Sequence, residues 1–496
     1  MINKVFLFLF TIIGSSTSAH SLRVPNAALR APDLPSEVRA RHARVVSGWR
    51  SPSSTSTNTP YPNIFPGDVG ADPTGIADSS AAFALALKAL LNRSSSTMSA
   101  NIADLGGATL DLQGGVYSLS SPFIIPQMVG NMRIIDGTLR ARDNFLPTET
   151  VALLQIGASP CNAGQQKSCN ENIGLSGLTV DGRHIAETAI AINSTMGATL
   201  DASSAVFGFN GCGIALNGGH EAMVTETWVA AYFWSDALKA KNNATGICVN
   251  GNDHFITNVI VFSALIGISN NGGANLFSGV HTWNTMTSMG GVGILNAAAS
   301  TRFEGCYFDY TDLRLVVAES LSITSSFFLG NAQLEFRAPA AGSRVAGVYI
   351  AGSVYSMTTS LPFKVNETEG TWTSITDLVV DGMAWGEKPT PQPRGGLSYA
   401  SQRFTGPCGG SPFSLDFSEA VVFPNVMTAT RSVADVACTP QGALCSLMLD
   451  VVQPDARGVR AWCVTSSGTS GGVNVTFTAT LDQSLDSALM YVDSAL

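Results

Sequence analysis

The sequence predicts an all-β chain, a right-handed single-stranded parallel β-helix with an N-terminal capping helix and a C-terminal β-rich segment. Three observations point there. Hydrophobic residues make up 45% of the 496-residue chain, charged residues only 13%, and glycines number 49, a balance that favours many turns over long surface helices. Short apolar bursts behind a small or polar residue recur at Leu178, Val206, Thr227, Val259, Val280, Cys306, Phe327, Val354 and Leu378, spaced by 28, 21, 32, 21, 26, 21, 27 and 24 residues. A floor of 21 with variable excess is what stacked coils produce, each coil supplying a few short strands while insertions collect at its corners. Asn and Gly crowd the intervals, as in "VNGNDHFITNVIVFSALIGISNNGG" over 249–273, because every coil turns its chain sharply two or three times. The hand follows the general preference of parallel strand connections. A β-sandwich, which also spaces strands regularly, is the alternative.

Taken in order, residues 1–19 have a Lys, an apolar run from Val5 to Ile13 and a small-residue end, the pattern of a secretory signal peptide. Residues 20–60 hold six arginines among Ala, Pro, Ser and Thr without periodicity and predict a flexible linker or pro-segment. Within "GDVGADPTGIADSSAAFALALKALLNR", Asp78 or Ser79 is placed to cap a helix, with Phe83, Leu87, Leu90 and Leu91 at helical spacing. Such a helix covers the open end of a solenoid core. The coils run over 61–395. Residues 396–496 change to alternating strands between Pro and Gly turns, a β-rich module or a cap on the last coils.

No later run reaches the about 18 apolar residues of a membrane span, so no membrane association is expected. Five N-x-[ST] sequons, at Asn92, Asn193, Asn243, Asn366 and Asn474, and nine cysteines suit an oxidising, extracellular or cell-wall location. Cys161 with Cys169 and Cys438 with Cys445 bracket short loops and read as local bridges; Cys306 reads as the free thiol. A net charge of −9 argues against nucleic acid. Cysteine spacing suggests no zinc site, no close Asp cluster suggests calcium, and no phosphate or dinucleotide loop is present, so no cofactor is expected. Nothing in the sequence sets an oligomeric state.

"GDVGADPTGIADSSAAF" with "GGATLDL" and "GVYSLSSPFIIP" resembles the opening segment of the pectate-lyase-3 group of the pectin-lyase-like superfamily. "GGHEAMVTETW", "GNDHFITNVIVFSALIGISNNGGANLFSGVHTWN" and "CYFDYTDL" resemble the quartet-type polygalacturonases of plants, which loosen pectin around pollen tetrads. The resemblance covers about residues 61–395 and implies a right-handed β-helix that hydrolyses α-1,4-linked galacturonan, a pectic polysaccharide of the cell wall. Ordinary family-28 polygalacturonases carry Asn-Thr-Asp, Asp-Asp, Gly-His-Gly and Arg-Ile-Lys elements. This sequence has no Asn-Thr-Asp, no adjacent Asp-Asp and no Arg-Ile-Lys, and only Gly219-His220 echoes the third.

No catalytic residue therefore transfers by motif, and candidates come from coil register. Glycoside hydrolysis needs two carboxyl groups across one bond, roughly 6.5–9.5 Å apart for inversion. Glu221 lies six residues before Thr227 and Asp253 six before Val259, in consecutive coils, so the two are expected side by side, flanked by His220 and His254. The competing explanation is turn chemistry in two Gly-rich corners. Asp181, Asp309 and Asp381 also share an offset, but in coils that are not consecutive; Asp309 is the reserve carboxylate. Arg183, Lys239, Lys241, His281 and Arg302 are cations available to an anionic sugar, and Trp283 is available for ring stacking, although a Trp in a strand is more often core. A lyase and a catalytically silent pectin-binding wall protein are the alternatives to a hydrolase.

Overall fold

The computed structural model describes residues 63–482 apart from 95, 99–100, 147–151, 158–160, 162–168, 233–242, 284–290, 358–361, 382–383, 386–398, 408–412, 417–421, 424–430, 440–444, 452–457 and 466–473. The side chains of Met357, Trp385 and residues from 399 onward, Val422 and Phe423 apart, are likewise outside it. The leader and linker expectations fall on residues 1–60 and so lie outside the described residues.

The chain winds into a right-handed parallel β-helix with three faces. The first face is a ladder of ten strands running through Thr188–Asn193, Cys212–Asn217, Thr245–Val249, Ile266–Asn270, Val292–Asn296, Asp312–Leu315, Leu334–Arg337 and Phe363–Asn366. The second face includes Thr199–Asp201, Met223–Thr225, Phe255–Thr257, Leu276–Ser278 and Arg302–Glu304. The third face includes Ala205–Phe207, Trp228–Ala230, Ile260–Phe262, His281–Trp283, Tyr307–Asp309, Phe327–Gly330 and Val354–Met357. The long strand Asn170–Asp181 pairs with both of the latter faces.

Strands of only three residues suffice because each buries its middle side chain on a neighbour of the same kind in the next coil. On the third face Val180, Val206, Val229, Val261, Thr282, Phe308, Phe328 and Tyr355 follow in register, each at most 1% exposed. Full burial of one such side chain stabilises by about 1.5–3 kcal/mol. Towards the C-terminal coils the column becomes aromatic: Phe308 and Phe328 stack at 4.8 Å, Phe328 and Tyr355 at 4.5 Å.

From the strand Asn170–Asp181 onward, two corners of the described coils recurrently use the same device, one left-handed residue followed by one buried residue. Between the second and third faces these are Glu226, Asn258, Gly279, Gly305 and Ser325, each with positive φ, followed by buried Thr227, Val259, Val280, Cys306 and Ser326. This corner is the physical origin of the repeat in the sequence, a small or polar residue and then an apolar burst. Four anchors need correction, and three of them, Val206, Phe327 and Val354, lie two, one and one residues beyond the corner position, held by Ser204, Ser326 and Ser353. Leu378 pairs with Val348 and belongs to the other corner, which repeats the same local pattern.

The helix α1, Ser80–Leu91, buries Ala82, Phe83, Ala86 and Leu90, and Phe83 packs edge-on against Tyr117 and Phe123 at the start of the coils. Asp78 accepts the Ser80 N–H, whereas the Ser79 hydroxyl receives the Asp72 N–H and does not cap. After the coils, two three-stranded antiparallel sheets follow, Tyr399–Pro407 with Arg431–Thr439 and Asn474–Asp482, and Phe413–Asp416 with Cys445–Val451 and Gly458–Thr465. Buried Phe423 packs on Phe336 and Trp372 of the last coils.

Cys161 and Cys169 are bridged, as their spacing predicts, and Cys306 is free and buried; loss of hydration holds its thiol up at about 12. A second bridge, Cys212–Cys248, joins adjacent coils of the first face. The side chains of Cys438 and Cys445 lie outside the described residues. The Asn193 sequon is buried, its amide tied to Gly157 and Asn217, and the Asn366 amide donates to Glu335, whereas Asn243 is exposed.

Candidate active site

The corner between the first and second faces carries the Gly-rich stretches. Its outer edge is pinned by an amide ladder in which Asn217, Asn250 and Asn271 each donate to the Asn of the preceding coil, at 2.9, 3.0 and 2.9 Å. Inside that edge glycine is required. A Cβ on Gly272 would collide with the Gly251 backbone, one on Gly251 with His254 and the Gly218 carbonyl, and one on Gly219 with the Thr195 backbone. The result is a groove of ≈ 480 Å³ whose lining includes Ser194, His220, Asn250 and Asn252 besides those glycines.

His220 pairs with Met196 before it and Asn252 after it, so the next residues, Glu221 and Asp253, occupy the same position in consecutive coils. Equivalent atoms of adjacent coils lie about 4.8 Å apart. Both residues are left-handed, φ 52° and 61°, as are Asn172, Ala274, Ser300 and Ser320 at equivalent corner positions. Asp, Asn and Gly tolerate this conformation; a Glu there carries a cost of about 1 kcal/mol, and among the described residues no side-chain hydrogen bond offsets it. Glu221 is exposed and its carboxylate has no partner among the described residues. The Asp253 carboxylate accepts from Asn252 Nδ2 at 2.5 Å and lies 3.5 Å from His220 Nδ1.

His254 departs from expectation. As the buried half of the corner it is 1% exposed, its Nδ1 accepts the Ala222 N–H and its own N–H donates to Asn275. It stands behind the corner and does not face a ligand. Burial first, and the neighbouring His220 second, push its pKa down to about 4 from an ordinary 6.5. The unfolded chain therefore binds this proton more readily. Stability from neutral His254 is complete above about pH 6.5 and is lost as the pH falls towards about 4, a change of about 3 kcal/mol. Denaturant midpoints measured across that window should fall in the wild type and show a smaller slope in His254→Gln; equal slopes would contradict this role.

The other predicted residues that are described are not brought to this corner. His281, Trp283 and Asp309 are on the outward side of the third face, where Trp283 pairs with Asp309 in register and stacks on Phe262 at 4.3 Å. His281 Nε2 lies 3.7 Å from Asp309, and the His281 ring stacks on Tyr307. Arg183 is ion-paired to Asp143 at 2.7 Å beyond the end of that face. Asp181 accepts the Arg183 N–H and pairs with Arg140, the turn role its position suggested, and Asp381 lies on the second face. Arg302 is exposed on the second face, in the column Met223, Phe255, Leu276, Arg302 that starts beside Glu221. Lys239 and Lys241 lie outside the described residues. Asn252, whose side-chain amide donates to Asp253, is not among the predicted site residues, although its offset matches that of His220.

Fold and corner together define a parallel β-helix protein with a surface groove lined by glycine, asparagine and His220. No protein-family model matches the sequence. The chain is similar to polygalacturonase QRT3 of Arabidopsis thaliana, 32% identical over 294 residues, 58% of this chain and 60% of that one. This bears out the resemblance to the quartet-type plant polygalacturonases over the matched stretch. Among solved structures it is similar to ORF18 of Geobacillus virus E2, with 13% identity, 84% of this chain and 76% of that chain covered, and a TM-score of 0.48. It is also similar to PfbA, a surface adhesin of Streptococcus pneumoniae, with 12% identity, 65% and 91% covered, and a TM-score of 0.46.

Proposed function

We propose that the protein is a polygalacturonase-like glycoside hydrolase that cleaves α-1,4-galacturonan of cell-wall pectin with inversion, outside the cell. The observation that supports this reading is that Glu221 and Asp253 take equivalent positions in consecutive coils, each next in sequence to a groove-lining residue, His220 and Asn252, in a chain similar to a plant polygalacturonase. Asp253, oriented by Asn252 and His220, is assigned as the base that activates water. Glu221, exposed and unpartnered among the described residues, is assigned as the acid that protonates the leaving oxygen. The long Glu side chain widens the roughly 4.8 Å coil spacing towards the separation that inversion needs. His220 and Arg302 are assigned to the uronate carboxylates of the bound chain, Arg302 two coils along the second face. Asp309, with His281 and Trp283, remains a reserve constellation on the third face.

Incubation with polygalacturonate, following reducing ends and ultraviolet absorbance together, tests this. New reducing ends without absorbance are expected. Rising absorbance marks an elimination and a lyase; binding with neither marks a silent wall-binding protein.

A further inference from the structure

The outward column of the first face runs Gln155, Ala191, Ala215, Cys248, Ser269, Leu295, Arg314, Glu335, Lys364 in register. Six coils present no charge there, and the next three present a cation, an anion and a cation. Glu335 is 1% exposed at its side chain; its Oε2 accepts from Arg314 Nε at 2.7 Å, and its Oε1 accepts from Asn366 at 2.7 Å and lies 3.5 Å from Lys364 Nζ. One buried carboxylate thus serves two cations. Arg314 uses only Nε among the described residues, which leaves the two terminal nitrogens of its fork open, and Lys364 is 46% exposed. Asp312, two residues before Arg314, adds a fourth group whose Oδ1 accepts the Gln333 N–H at 3.0 Å.

We propose that Asp312, Arg314, Glu335 and Lys364 form a carboxylate-binding site on the first face, which takes a uronate group between the open fork of Arg314 and Lys364 and is switched by the proton on Asp312. The identity of the ligand as a uronate rests on the galacturonan reading; the anion site itself does not. Charge counting gives the switch. With Asp312 ionised the four groups sum to zero, and with Asp312 protonated they carry one uncompensated positive charge that an incoming carboxylate neutralises.

Burial and then the nearby Glu335 raise the Asp312 pKa, against the opposing pull of the Gln333 N–H, Arg314 and Lys364. Burial would raise Glu335 too, but Asn366, Arg314 and Lys364 hold it below its ordinary value, so the two carboxyl groups are separated in proton affinity. Among the described residues, the preceding coil pairs the uncharged Val292 with Asp312 and Leu295 with Arg314, so Glu335, Arg314 and Lys364 are the charged groups described around Asp312. Affinity for an anion is therefore greatest below the raised Asp312 pKa and is lost as the pH rises through it.

The test measures trigalacturonate binding to the full chain in an Asp253→Asn background, which spares the probe from hydrolysis, over a pH series whose ends are about pH 4.5 and about pH 8. Affinity is expected to fall on the order of tenfold between the two, to become flat with pH in Asp312→Asn, and to drop on the order of tenfold at the lower pH in Lys364→Met. Lys364→Met leaves Glu335 its Arg314 and Asn366 partners, so the fold is retained. An unchanged pH profile in Asp312→Asn, or wild-type affinity in Lys364→Met, overturns the proposal. Sulfate, whose charge is constant over this range, is the second probe. Asp312-dependent sulfate binding without trigalacturonate binding would keep the anion site and remove the uronate ligand; binding of neither would remove the site.

Discussion

Asp253→Asn and Glu221→Gln are each expected to slow polygalacturonate hydrolysis by roughly 10²–10⁴-fold, the range that a positioned acid or base contributes. Neither should change stability by more than about 0.5 kcal/mol, because both side chains are at the surface: the Asp253 side chain is 43% exposed and Glu221 is exposed. The Asn variant separates catalysis from punctuation. Asn forms left-handed corners at least as well as Asp, so if Asp253 only turned the chain, Asp253→Asn would retain full activity. Glu221→Gly sharpens the contrast at the other carboxylate. It relieves the left-handed strain at φ 52° and should hold or raise stability while abolishing the same activity. Rates with reducing-sugar detection, alongside denaturant midpoints, check both.

Phe328→Ala carries the largest expected cost in stability, about 3–5 kcal/mol. The ring is fully buried between Phe308 and Tyr355, with centroids at 4.8 and 4.5 Å, so truncation leaves a void that two rigid rings cannot close from opposite sides. Coils in a solenoid communicate mainly with their neighbours. Amide exchange should therefore quicken first in Tyr307–Asp309, Phe327–Gly330 and Val354–Met357, while strands around Cys212 and Cys248 keep their protection. A loss below about 1 kcal/mol, or uniform loss of protection along the chain, would contradict the stacked-column account.

Much of the coil architecture was legible in the sequence because a left-handed corner favours Gly, Asn or a small polar residue, Glu221, Glu226 and Ala274 being exceptions, and the buried residue after it is usually apolar. Thr227 and Val259 are true corner positions, and counting six residues back from each placed Glu221 and Asp253 correctly in adjacent coils. The same rule misplaced Leu378, because two corners of each coil share one local pattern and only strand pairing tells them apart. His254 was misjudged for a related reason: His is usually half-exposed, and its burial here follows from its place in the corner. The Cys212–Cys248 bridge and the Arg314–Glu335–Lys364 column join residues from successive coils with no local spacing rule to reveal them. Asp309 follows from its offset, and His281 and Trp283 from their suitability for an anionic sugar; neither criterion says which face they occupy, and the chain turns through a further corner before reaching them.

Glu221 and Asp253 are proposed to act together on one bond, and the rate of the Glu221→Gln/Asp253→Asn double variant tests this most directly. Groups that act as a unit lose little more when both are removed than when the more important one is. The double variant should therefore hydrolyse polygalacturonate about as slowly as the slower single variant. Losses that multiply would show two independent contributions, and wild-type rates in all three variants would show that the corner is not the catalytic site.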